Sequence, residues 1–322
     1  MNVKPILPSA VSEGASPVVR HHTLDALAIS LLLLLCVLLA IGQVAIKVAN
    51  AGISPLLQAG LRSFFAAILL GGFAWARGIK LFARDGILAP ALLAGAFFAA
   101  EFACLYPGLA RTTAAHAVIL LYTSPFVVAV GAHFLIPGDR MTSPKVAGLI
   151  AAFVGVAVVT LGRSPGATGT QAPTLIGDLL CLAGALAWGL LTLTLRATRL
   201  AKVSPERSTF LLLAISAPML CALSVALGEA GITDPNPRVL AAFAFTVVFV
   251  GFVCFTTTNW LLGHYPASKV MAFLLLTPVL GVLAGHVLLG EELGPSLLTG
   301  LALVLAGLWL VNRPARASPP AA

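Results

Sequence analysis

A few polar residues set deep inside long apolar runs hold most of the chemistry open to this chain. Glu101 stands within Phe97-Phe98-Ala99-Ala100-Glu101-Phe102-Ala103, with no charge beside it in sequence and no turn former to put it in a loop. An ionised, unpaired carboxylate there would lose several kcal/mol of hydration, so it is protonated, paired with a cation, or exposed to a water-filled cavity. Arg62 lies about two turns inside another apolar run, where an arginine costs about 2.5–3.5 kcal/mol on insertion scales, so it too calls for a partner or a watery cavity. The two are candidates for substrate contact or ion coupling, or for a structural ion pair.

Two prolines extend the set. Pro125 and Pro278 each fall near the middle of an apolar run, and each removes a backbone hydrogen bond that lipid cannot replace. The flanking Thr123, Ser124 and Thr277 offer hydroxyls to the freed carbonyls or to a substrate. Trp188, mid-run, is the preferred aromatic for lining a cavity, ahead of Tyr106, Thr192, Asn259 and Trp260. His116 and Lys269 sit in first helical turns. A cation there opposes the helix dipole, so Lys269 calls for an acidic partner or an anionic ligand, or else rests at the interface. Lys47, near a helix end, is expected to snorkel, and Glu291-Glu292 to be a solvated loop pair. Nothing here builds an enzyme: there is no nucleophile elbow, Walker loop, HExxH or carboxylate cluster.

The elements that position these residues must be membrane helices. Of 322 residues, 59% are apolar and 9% charged, and the mean hydropathy of +1.03 is incompatible with a water-facing surface. Ten runs reach the length a bilayer core demands: 24–49, 55–76, 87–110, 113–136, 143–162, 174–198, 206–228, 238–262, 266–289 and 295–312. Between them lie breakers such as Asn50-Ala51-Gly52, Pro137-Gly138-Asp139 and Asp234-Pro235-Asn236-Pro237. Residues 1–23, rich in Pro and Ser, read as a mobile tail without a signal peptide, and 314–322 as a second tail. Cys36, Cys104, Cys181, Cys221 and Cys254 fall one per apolar run, which argues against disulfides and against a metal site; no cofactor is called for.

The basic residues of a chain with net charge +8 are spread among short connections, which excludes a nucleic-acid patch and reports topology instead. Thirteen Lys and Arg fall in the two tails and in the connections after the second, fourth and sixth runs; the opposite connections hold Arg111, Arg163 and Arg238. Both termini are therefore predicted to be cytoplasmic.

The chain also repeats itself. Asp25 recurs as Asp178, Thr123-Ser124-Pro125 as Leu276-Thr277-Pro278, and Gly138-Asp139-Arg140-Met141 as Gly290-Glu291-Glu292-Leu293, at offsets of 153 and then 152 residues. Gly148 and Gly155 match Gly300 and Gly307, giving both fifth helices a small-residue face. Five helices per copy is an odd number, so the second copy enters the membrane from the other side. The fold expected is an all-α integral membrane protein of ten helices in two inverted repeats, 24–163 and 174–313, joined by an external linker at 164–173.

On these residues the chain resembles the drug/metabolite transporter (DMT) superfamily, specifically its EamA-type members. Gly42, Lys47, Pro55, Arg62, Tyr122-Thr123-Ser124-Pro125 and Asp139-Arg140 carry the likeness in the first half. Pro266-Ala267-Ser268, Thr277-Pro278 and Gly290-Glu291-Glu292-Leu293 carry it in the second. Asp139 and Met141 depart from the usual Gly-Glu-Arg-Leu. The resemblance covers residues 24 to 313 and places Tyr122 among the candidates. It implies a ten-helix carrier of the inner membrane, commonly an exporter of amino acids, other metabolites or drugs. Its partners would be a small-molecule substrate and the lipid bilayer, and a homodimer is compatible with this. A flippase for lipid-linked head groups on the same scaffold is the alternative, and an intramembrane enzyme the more distant one.

Overall fold

The computed structural model describes residues 24–82, 86–136, 141–162 and 173–311. The tails, most of the linker, and the Asp139-Arg140 connection lie outside the described residues. What is described is helical apart from an isolated bridge between Ile53 and Ile232.

The spans are α1 (Ala26–Ala49), α2 (Pro55–Ala76), α3 (Leu88–Leu109), α4a (Ala114–Leu121) with α4b (Ser124–Leu135), and α5 (Ser143–Leu161). The second half supplies α6 (Leu175–Ala197), α7 (Pro205–Ala226), α8 (Pro237–His264), α9a (Ala267–Leu274) with α9b (Thr277–Leu289), and α10 (Pro295–Val311). Leu27, Phe64, Phe153 and Val225 are among many large apolar side chains on the outside, as hydrocarbon surroundings require and water would forbid. The protein is a multi-pass membrane protein.

Local chemistry sets the ends. Asp25 caps α1 by accepting from the Ala28 amide at 2.8 Å, and Thr113 and Thr174 cap α4a and α6. Proline opens α2, α5, α7 and α10, where its missing N–H is harmless. The Glu229 carboxylate, beyond α7, accepts from the Leu56 and Leu57 amides at 3.1 Å and so ties the start of α2 to the end of α7.

Two expectations about the repeat acquire a structural meaning. The fourth and ninth spans are each broken two residues before their proline, so Pro125 and Pro278 open the second segments α4b and α9b instead of kinking continuous helices. The two glycine faces pack on one another. A Cβ at Gly148 would meet the Gly307 carbonyl oxygen at 2.6 Å, and one at Gly300 the Gly155 carbonyl oxygen at 2.8 Å, so α5 and α10 cross backbone to backbone.

The eighth span departs from the uniform helix expected over 238–262. Thr246–Cys254 is a π-helical stretch between two α-helical segments, and the span reaches His264. Its Gly251 lets α2 approach, where a Cβ would meet Ala66 at 2.9 Å.

Candidate functional site

The centre of the bundle is built on α2 and α3. Arg62 and Glu101 are both 2% exposed. Among the described residues the two do not close to an ion pair. Nε and Nη1 of Arg62 and Oε2 of Glu101 are buried without hydrogen-bond partners, as are Gln58 Oε1, Ser63 Oγ and the Tyr106 hydroxyl. Such a concentration of unsatisfied polar groups is costly in a packed interior and is usual where a ligand or water completes the set.

An aromatic ladder flanks this cluster. The Arg62 guanidinium lies 4.5 Å from the centroid of the Phe102 ring. Phe102 packs edge-on against Tyr106 at 5.7 Å and against Phe98 at 4.7 Å, since residues four apart stack along one face of α3. Phe98 reaches Trp188 of α6 at 6.5 Å and Phe255 of α8 at 6.4 Å. Trp188, expected from its mid-run position, thus belongs to the same wall as Arg62. Gly251 in the π-helical stretch comes near Arg62 from the other side: a Cβ there would lie 3.7 Å from Nε.

The two helix breaks form a second group. Thr123 returns its hydroxyl to the Leu120 carbonyl at 2.6 Å, satisfying a group freed by the break. The Tyr122 hydroxyl donates to the Leu274 carbonyl at 3.4 Å, so a residue at one break serves the last turn before the other. Cys36 of α1 meets the Phe273 carbonyl at 3.5 Å, and the buried Thr277 hydroxyl has no partner. Ser124 is buried with its backbone against Gly189 of α6. Lys269, by contrast, is exposed on the first turn of α9a.

At the end of the bundle where α1 finishes, two expectations are overturned. Lys47 does not snorkel to a surface: its Nζ donates to the Thr112 carbonyl at 2.7 Å and pairs with Glu291 at 3.4 Å. Glu291 is not solvated but 4% exposed, and its two oxygens accept from the Ala114 and Ala115 amides at 2.7 and 2.9 Å. The positive end of α4a makes that buried carboxylate tolerable. Beside them Asp178, 0% exposed, accepts from the Thr112 hydroxyl and faces His116 Nδ1 at 3.3 Å. At the opposite end the Tyr265 hydroxyl donates to both Asp25 oxygens, at 3.0 and 2.9 Å. Burial first, and then Asp25, push the Tyr265 phenol above its ordinary range, so it remains a donor.

Asp178 stands out in the sequence only as the repeat partner of Asp25, since a first-turn aspartate is otherwise an ordinary helix start. The π-helical stretch left no signal in a uniformly apolar segment.

The chain is similar to known proteins over nearly its whole length. The EamA-like transporter family matches residues 26–161 and again 175–313. The uncharacterized transporter YvbV of Bacillus subtilis (strain 168) is 30% identical over 282 residues, covering 86% of this chain and 88% of its own. A probable amino-acid metabolite efflux pump of Salmonella typhimurium (strain LT2) is 28% identical over 309 residues, covering 89% and 97%. A crystal structure at 19% identity superposes with a TM-score of 0.62 over 89% of this chain and 96% of its own, a likeness of fold. With two copies of the family's repeat spanning nearly its whole described length, the chain belongs to the EamA-like transporter family.

Proposed function

We propose that the chain is a secondary-active carrier that exports small organic metabolites, amino acids among them, from the cytoplasm by alternating access. It would sit in a bacterial-type inner membrane with both termini cytoplasmic. The observation that carries the reading is that Arg62 and Glu101 are both buried in the centre of the bundle, each with unsatisfied polar atoms and not closed on one another. A zwitterion supplies what they lack, a carboxylate for the guanidinium and an ammonium for Glu101. The Phe98, Phe102 and Trp188 wall suits an apolar side chain. The Salmonella relative, named as a probable amino-acid metabolite efflux pump, agrees with that class.

The flippase alternative is less well supported. A groove of about 710 Å³ opens toward lipid between α2 and α7, but Leu61, Phe64, Ile68, Phe210 and Pro218 line it with nothing to carry a head group. Uptake by proteoliposomes of the purified protein, screened across amino acids, nucleosides, polyamines and cationic drugs with and without a proton gradient, tests the proposal. Saturable transport of one or more amino acids is expected, reduced by Arg62→Gln. Lipid scrambling without transport of any solute would sink the reading.

A further inference from the structure

The two ends of the bundle are closed by equivalent residues. The 153-residue offset that relates Asp25 to Asp178 also relates Tyr265 to Thr112, and those are the hydroxyls the two aspartates accept from. Each contact joins the first half of the chain to the second: Thr112 to Asp178 where α1 ends, Asp25 to Tyr265 where α1 begins. Nothing in helix capping requires this. Asp25 does cap its helix, but α6 is capped by Thr174, leaving Asp178 one turn further in with its carboxylate turned to the other half. A hydroxyl-to-carboxylate pair kept at both ends, between the same two halves, is what a carrier needs if each end must part in its turn.

The ends are not equally held. Asp178 is fully buried and stands in a knot with His116, Thr112, Lys47 and Glu291, the last also gripping the first amides of α4a. Asp25, by contrast, is exposed. The helix segments behind the latches differ in the same sense. In α4a every residue from Ala114 to Leu120 is buried, whereas Val270 is the buried residue among the described side chains of its counterpart α9a. A dry charge-assisted contact is harder to break than the same contact in water.

We propose that Asp178 and Asp25 are the gate residues of the transport cycle, each latching one end of the bundle across the two halves. The Asp178 contact is the fully buried one, so the resting carrier opens first at the Asp25 end. This rests on the alternating-access reading given above. By the charge distribution that end faces the cytoplasm, so the carrier waits to load from inside, the arrangement an exporter uses.

The test measures both ends at once and needs no substrate. In the full chain without its native cysteines, held in lipid nanodiscs, spin labels at Arg111 and Glu292 report the Asp178 end, and labels at Ala26 and Gly263 the Asp25 end. All four positions are exposed, and a side chain at Gly263 meets nothing within 4 Å. Asp178→Asn keeps volume and removes charge. It is expected to lengthen the first distance and shorten the second, changing the ratio of the two conformations about tenfold, the scale of one charge-assisted hydrogen bond. Tyr265→Phe is expected to do the reverse, and the double substitution to return toward the parent distribution. Glu291→Gln loosens the same knot from another side and serves where Asp178→Asn does not fold. Shifts of the same sign from the two ends, or unchanged distributions in folded protein, would overturn the proposal. Opposite shifts in a protein that transports nothing would strike the transport reading and leave the latches standing.

Discussion

A guanidinium whose Nε and Nη1 are buried without partners is held in place by its neighbours and not by its own hydrogen bonds. Arg62 rests on the Phe102 ring, 4.5 Å from its centroid, and beside Gly251, contacts that fix its plane while leaving its edge free. This geometry separates two roles for Glu101. As one arm of a structural pair, its neutralisation would strand a buried charge and cost about 3–5 kcal/mol of stability, restored when Arg62 is neutralised as well. As the partner of a substrate amine or of a proton, its neutralisation would spare the fold. We expect Glu101→Gln to insert and unfold like the parent protein while transport falls about tenfold or more and loses its dependence on the proton gradient. Unchanged transport with unchanged pH dependence would remove Glu101 from the mechanism, and a folding defect rescued by neutralising Arg62 would assign it to structure. Both residues were legible in the sequence because a charge in the middle of an apolar run has no inexpensive explanation. Lys47 and Glu291 were misread because a charge near a run's end has one. Their partnership spans 244 positions, and neither local pattern nor charge counting registers it.

The two broken helices show what an element contributes that no single residue does. Pro125 and Pro278 begin α4b and α9b, and the peptide groups left over between segments are served by Thr123 on the Leu120 carbonyl and by Tyr122 on the far break. Thr277, the counterpart of Ser124, keeps its hydroxyl unused, and Leu276 stands where the first half has Thr123, so the hydroxyl contact at the first break has no equivalent at the second. Cysteines placed at Thr123 and at Thr277, in a chain without the native five, are expected to react with a small water-soluble thiol reagent and to be protected about tenfold by a transported substrate. Failure of both to react in every condition that supports transport would reduce the prolines to packing features. The breaks were foreseeable because proline has a fixed cost in a helix, and the α5 and α10 crossing because glycines at matched spacing have few other uses in lipid. The π-helical stretch was not, since Thr246–Cys254 reads as continuous apolar sequence.

For the molecule as a whole, the arrangement expected in the membrane rests on two independent observations that must agree. Lys and Arg crowd the tails and the connections after α2, α4b and α6, thirteen of them against three on the alternate side, and positive residues are retained in the cytoplasm during insertion. Separately, each family repeat holds five spans, so equivalent residues of the two halves must lie at opposite faces. The contacts obey that rule: Asp25 lies at the end of the bundle where α1 begins, and its counterpart Asp178 where α1 finishes, beside Lys47 and Glu291. An even number of spans per repeat would have put the two aspartates at the same end, where neither could balance the other. Reporter fusions after Arg84, Lys145, Lys202 and Arg316 are accordingly expected to be cytoplasmic, and fusions near Gly169 and Pro235 external. The decisive comparison is between positions 169 and 202, which flank α6 alone: if both report the same side, α6 does not cross, the halves are not inverted, and Asp25 and Asp178 lose their standing as equivalent gates. If instead every fusion reports the reverse side, the inversion stands and the direction changes. The Asp178 knot would then close the cytoplasmic end, and the resting carrier would load from outside, as an importer does.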